Sequence, residues 1–207
     1  PGQYGDMPFL VWIMCGLIPW FFFSDGINSV TSVFLEYSYL VKKVVFDINI
    51  LPVIKIISAM FVHIFFIFLI FIVMALFGYM PSICYIQAFY YSFCMICLIL
   101  AIGYFTSSLS VFFRDLPQLV QVCLSAGMWL TPIMWAFDML QGYWFSFIFK
   151  LNPMFYVVEG YRSAILGHQW LFSNWKLTIY FWCVVVLLTL IGRNVFKKMK
   201  PHFADVL

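Results

Sequence analysis

The chain has 207 residues, of which 65% are hydrophobic, 22% aromatic and only 9% charged, with a formal net charge of +3. So little polar surface cannot cover a water-soluble globule. The composition places the chain in a bilayer, and no nucleic-acid partner is expected.

A transmembrane helix needs about 20 mostly apolar residues, and five such stretches follow one another at about 9–33, 50–77, 85–113, 116–136 and 177–195. A closed barrel is disfavoured because "FVHIFFIFLIFIVMALF" is apolar all round, where barrel strands would alternate. The expected fold class is therefore an all-α polytopic membrane protein, one transmembrane domain over 1–207.

In the first span the outer half, "FLVWIMCGLIPWFFF", is purely apolar, and Pro19 is expected to bend the helix. The inner half places Asp25, Asn28, Ser29, Ser32 and Glu36 along one helical face. Such a stripe cannot face lipid. It either knits helices together or lines the cytoplasmic mouth of a polar pathway.

Next comes "EYSYLVKKVVFDINILP". At 100° per residue over about 37–48, Tyr37, Leu40, Val41, Val44, Val45 and Ile48 share one face, while Tyr39, Lys42, Lys43 and Phe46 share the other. One reading is an interfacial helix whose lysines meet anionic headgroups. The other is a docking helix whose aromatics enter a groove on a cytosolic partner.

The third span carries Gly103, Thr106, Ser107, Ser108 and Ser110, small residues that allow close helix contact. Its Cys94 and Cys97 read as small hydrophobes in an apolar helix. "FFRDLPQ" makes a tight turn, with Asp115 placed as an N-cap and Pro117 in the first helical turn. The fourth span ends at "LTPIMW", with a kink expected at Pro132. The external segment that follows holds two apolar stretches, around 143–149 and 154–166, within an expected re-entrant region of about 141–167. Each is too short to cross a bilayer. Asn152 and Pro153 signal a helix start and Gly167 a stop. Glu159 and Arg162 are spaced for an intrahelical ion pair or serve a pathway, and Trp170 and Trp175 suit an interfacial belt.

Orientation follows from the cations. With the Lys42/Lys43 loop inside, Arg114, Arg193, Lys197, Lys198 and Lys200 are also inside and Lys55 lies near that surface, leaving Lys150, Lys176 and Arg162 outside. This is the direction of the positive-inside rule. An odd number of spans, and a chain that begins at Pro1 without an initiator methionine, lead to the expectation that a preceding helix completes a six-helix subunit.

Five ordered motifs, "PFLVWIMCGLIPWFFF", "YLVKKVVF…ILP", "FFRDLPQ", "TPIMW" and "NPMFYVVEGYR", resemble the membrane subunit of bacterial polysaccharide ABC exporters. The similarity is to teichoic-acid translocation permeases and the related O-antigen permeases, and runs from Pro8 to about Gly167. The resemblance implies a multi-pass protein of the bacterial cytoplasmic membrane, paired with a second copy of itself and with two copies of a separate ABC ATPase that binds ATP and Mg. It implies a lipid-linked polysaccharide as cargo. The stretch carrying Tyr39, Leu40, Lys42, Lys43, Phe46 and Asp47 is then the coupling helix, and Asp25, Asn28, Ser29 and Ser32 stand at the cytoplasmic mouth. Asn152, Pro153, Tyr156, Glu159, Tyr161 and Arg162 belong to the exit-side re-entrant segment. Relatives commonly have proline and an acidic residue where Asp47 and Asn49 stand here.

The sequence has no GxxxxGK[ST] phosphate loop, so no catalytic site and no cofactor are expected in this chain. Tyr90, Tyr91, Trp129 and Trp135 are candidate flat faces for sugar rings. Two alternatives remain. A secondary transporter would show inverted repeats and intramembrane ionisable pairs, and His63 reads instead as a hydrogen-bonded packing residue. A membrane enzyme acting on lipid-linked sugars would draw on Asp138, Glu159 and His168.

Overall fold

The computed structural model describes residues 3–4, 7–42, 47–79, 82–140, 142–143, 146–166, 170 and 175–206. A two-residue antiparallel pair, β1 (Gln3–Tyr4) with β2 (Met7–Pro8), leads into a series of helices. These are α1 (Phe9–Thr31), the single turns α2 (Val33–Glu36) and α3 (Ser38–Val41), α4 (Ile50–Leu76), α5 (Gln87–Phe112, entered through the 3-10 turn Ile83–Ile86), α6 (Leu116–Leu130), α7 (Ser146–Lys150), α8 (Pro153–Ile165), α9 (Trp175–Met199) and α10 (Phe203–Val206).

Four of these helices, Phe9–Thr31, Ile50–Leu76, Ile83–Phe112 and Trp175–His202, are long and apolar enough to cross a membrane. The fifth, expected over 116–136, stops at Leu130. Thr131 precedes Pro132 and adopts extended backbone (φ −92°, ψ 136°), as the residue before a proline is pushed to do. Its 15 residues reach about 22 Å, less than the roughly 30 Å hydrocarbon core. Asp115 does stand at the N-cap of α6, but its side chain makes no capping bond.

Helices α1 and α5 are the inner pair. Around them α4, α6 and α8 pack on α1, while α8 and α9 pack on α5. Helices α4 and α9 keep large apolar side chains such as Phe61, Phe65, Leu187 and Leu190 on the outside, the pattern of a lipid-facing surface. The main core fills the bundle, and a smaller one closes the basic end, where Phe34 meets Phe196 and Phe203 at ring-centre distances of 5.8 and 5.3 Å. Lys42 and the closing run Lys197, Lys198 and Lys200 flank this second core, so the basic residues separated in sequence gather at one end.

The small residues of α5 let α1 approach closely. A Cβ on Gly103 would fall 2.5 Å from Val30 Cγ1. One turn further in, Thr31 Oγ1 and Thr106 Oγ1 share a 2.8 Å hydrogen bond, and Ser110 Oγ donates to the Thr31 carbonyl at 2.7 Å. Such bonds suit a helix interface where water offers no alternative partner.

Gly103→Leu should therefore destabilise the purified protein by about 1–3 kcal/mol through overpacking, read as a lower melting temperature in detergent, and Val30→Ala should recover part of the loss for Gly103→Ala. An unchanged melting temperature for Gly103→Leu would show that the α1–α5 contact is loose. Cysteines at Lys42 and Arg114 should react only from the cytosol and one at Lys150 only from outside; external labelling at Lys42 would reverse the orientation.

Candidate functional site

At the basic end the amphipathic split over 37–48 is realised by short turns. Tyr37 and Leu40 are half-buried, and Val41 and Ile48 buried, all against the second core; Tyr39 stays 58% exposed and Lys42 exposed. Among the described residues the helix is the single turn Ser38–Val41 rather than a continuous element, and Lys43 and Phe46 lie outside the described residues.

The turn is braced from below. Lys55 Nζ on α4 donates to Glu36 Oε2 at 2.6 Å and lies 5.2 Å from the Tyr37 ring centre, while Ser32 Oγ donates to the other Glu36 oxygen. Burial would raise the Glu36 carboxyl, but hydrogen bonds from Lys55 and Ser32 and the Lys55 charge outweigh it and hold the group below its ordinary range. The brace is thus present at neutral pH and is lost only as pH falls through that lowered value.

Asp47 and Asn49 lie just before α4, Asn49 at its N-cap position. Asp47 Oδ1 accepts from the Asn49 backbone at 3.1 Å and from its side chain at 2.6 Å, and Lys200 Nζ lies 3.7 Å away. The Asn49 carbonyl in turn accepts from Tyr104 Oη at 2.9 Å, so Asp47 is engaged in holding this corner together.

The polar stripe of α1 stays uncovered. Asp25 is exposed and Asn28 and Ser29 are half-buried, whereas Ser32 is committed to Glu36. The neighbouring α6 has no buried residue at all, and Gln118, Gln121 and Ser125 lie exposed on it at helical spacing.

On the opposite side, α8 descends into the bundle. Asn152 caps it, accepting from the Met154 backbone at 3.0 Å, and Pro153 occupies its first turn. Tyr156 is buried, its hydroxyl 3.1 Å from Thr178 Oγ1 and 3.3 Å from Tyr90 Oη. Tyr161 Oη lies 2.6 Å from Ser92 Oγ and 3.1 Å from His63 Nε2, and the His63 ring stacks on Phe22 at 4.4 Å. His63 is the middle residue of α4, so Tyr161 reaches about mid-membrane depth. Histidine here is hydrogen-bonded packing.

Arg162 joins α8 to the broken end of α6. Its two terminal nitrogens donate to the carbonyls of Pro132 at 2.5 Å and Ile133 at 2.7 Å, Nη1 also donates to Glu159 Oε1 at 3.1 Å, and the guanidinium lies 3.9 Å over the Trp12 ring. Asn152 Nδ2 adds a 2.8 Å bond to Thr131 Oγ1. The expected ion pair with Glu159 is present, but Arg162 is buried and bound to backbone, not displayed at the outer surface. Of the aromatic candidates for sugar faces, Tyr91 is buried against Gly160, where a Cβ would overlap its ring, and Tyr90 is tied to Trp182. Trp129 is open, and Trp135 is bound to its carbonyl. The side chain of Asp138 and all of His168, named for the enzyme alternative, lie outside the described residues.

The model of the ABC-2 type transporter family matches residues 2–166. The chain belongs to that family. This ABC-2 transporter is 27% identical over 205 residues to an O-antigen export system permease protein of Klebsiella pneumoniae, covering 96% of the chain and 76% of the relative. It is 22% identical over 201 residues to one of Myxococcus xanthus, covering 97% and 76%. It is a multi-pass permease of the bacterial cytoplasmic membrane, and members of the family work with an ABC ATPase partner.

Arg162→Gln should cost this ABC-2 transporter about 3 kcal/mol, because buried carbonyls lose their donors, and Arg162→Lys should recover only part, since an ammonium cannot fork to two acceptors. Thermal unfolding in detergent reads both; equal stability of all three proteins would remove Arg162 from its role as a clamp.

Proposed function

We infer that this chain is the transmembrane subunit of an ATP-driven exporter that moves a lipid-linked cell-surface polysaccharide, of O-antigen or teichoic-acid type, across the cytoplasmic membrane. The O-antigen type is supported by the names of its relatives; the teichoic-acid type and the lipid link rest on the resemblance of its ordered motifs. Two copies of the chain would enclose the route, with two copies of an ABC ATPase, carrying ATP and Mg, on the cytosolic side.

The observation that carries the coupling role is the outward display of Tyr39 and Lys42 from a turn fixed to α4 through Glu36 and Lys55 and to the second core through Leu40 and Val41. An isolated exposed aromatic on a rigid cytosolic turn suits insertion into a partner's groove. A displacement of that turn by the ATPase would pass to α4 through the ion pair and to α1 through the continuous chain. Asp25, Asn28 and Ser29, together with Gln118 and Gln121 of the adjacent α6, supply the uncovered polar faces that a route between two copies requires. Asn152 to Arg162 form the exit-side helix, held by Thr131, Pro132 and Ile133.

Pull-down with the cognate ATPase tests the reading. Tyr39→Ala should weaken association by about 2 kcal/mol, the cost of losing an interface anchor, and reduce polysaccharide at the cell surface. Lys42→Ala should mainly alter the rate and salt dependence of association. Undiminished binding by Tyr39→Ala would rule out docking through that residue and favour a membrane-surface role for the turn.

A further inference from the structure

Between α5 and α9 lies a groove of about 640 Å³ whose character changes along its length. Its upper part is walled by Cys97, Leu100, Trp182, Val185, Val186 and Thr189. At its cytosolic end it meets Arg193, Lys197 and Lys200, spaced i, i+4, i+7 on one face of the chain. Both ends are built rather than left open to collapse. Trp182 Nε1 donates to Tyr90 Oη at 3.0 Å, and Tyr104 Oη is held on the Asn49 carbonyl at 2.9 Å.

Charge and depth identify what fits. Lys200 is shared with Asn49 Oδ1 at 3.5 Å and Asp47 at 3.7 Å, but Arg193 and Lys197 make no ion pair among the described residues. From Arg193 to Trp182 the groove runs about 16 Å along α9 at 1.5 Å per residue, one leaflet of a roughly 30 Å hydrocarbon core. Val186, on its wall, is exposed alongside Leu187 and Leu190, so the groove opens on the lipid-facing side. A soluble anion has no use for the apolar wall, and a peptide would have to enter from hydrocarbon.

We propose that this groove is a binding site for an anionic phospholipid of the cytoplasmic leaflet, whose phosphate sits between Arg193, Lys197 and Lys200 and whose acyl chain lies against Trp182 and Val186. A basic crevice between membrane helices at the cytosolic surface is the chemistry that selects an anionic headgroup over a zwitterionic one. Occupancy would pin the end of α9 to the corner where α4 begins, since Lys200 and Asn49 line the same site. The inference rests on the membrane orientation and is independent of the cargo.

The intact permease in phosphatidylcholine vesicles doped with photoactivatable phosphatidylglycerol tests this, with labelled peptides mapped by mass spectrometry. Label should fall on α5 and α9 at the groove, and exceed that from photoactivatable phosphatidylcholine. Arg193→Gln with Lys197→Gln should lower it about tenfold or more. Val186→Trp, which keeps every charge and fills the crevice, should lower it as well, while Lys198→Gln, on the same helix but outside the groove, should leave it unchanged. Loss with Lys198→Gln equal to that of the double variant, or undiminished labelling of Val186→Trp, would reduce the effect to general attraction of a basic surface and overturn the site. Stronger labelling of the same residues by a photoactivatable polyprenyl diphosphate would overturn it in favour of a cargo site.

Discussion

A helix that stops within the hydrocarbon leaves its last carbonyls without partners, and lipid offers none. Helix α6 faces this directly, since 15 residues rising from the Arg114–Asp115 turn end short of the far surface. The extended stretch after it survives because Thr131, Pro132 and Ile133 are buried in protein and Arg162 donates to two of their carbonyls. The remaining features of the outer half follow from that clamp. Gly16 must stay small, because a Cβ there would sit 3.0 Å from Arg162 Nη2 and 3.2 Å from the Ile133 carbonyl. Trp12 covers the guanidinium face, and α8 is drawn into the bundle far enough for Tyr161 to meet His63 and Ser92.

The basic half is held differently, by an aromatic core and exposed charge pairs. Phe34, Phe196 and Phe203 bring together α2, the end of α9 and the closing turn, and the Glu36–Lys55 and Asp47–Lys200 pairs tie the segment between α1 and α4 to its neighbours. Exposed ion pairs of this kind contribute little to stability. Their effect is to fix geometry, so that a turn only four residues long presents Tyr39 in one direction.

Much of this was legible in the residues. Uninterrupted apolar runs fix spanning helices because a backbone in lipid has few other solutions, and the small residues of α5 marked the close face that meets α1. The split of Tyr37, Leu40 and Val41 from Tyr39 and Lys42 was readable as helical periodicity, although among the described residues the helix there is the single turn Ser38–Val41. Asp47 and Asn49 stood out as departures, yet their mutual hydrogen bonds could not be read from a pattern. The uncovered face of α6 was invisible for a similar reason: periodicity shows which residues share a face but not which face lacks a neighbour.

By itself the sequence determined the solvent, the order of the apolar helices, and the family through its ordered motifs, while the fifth expected span proved a shorter helix ending at Leu130. Each of these depends on composition or on residues close in the chain. Tertiary structure alone decided that "TPIMW" and "NPMFYVVEGYR" grip one another, that Arg162 is a buried clamp instead of an external charge, that His63 meets Ser92 and Tyr161, and that Arg193, Lys197 and Lys200 end an apolar groove. Those facts depend on contacts between residues 21 to 151 positions apart, and which polar group satisfies which buried partner is fixed only when the helices have packed.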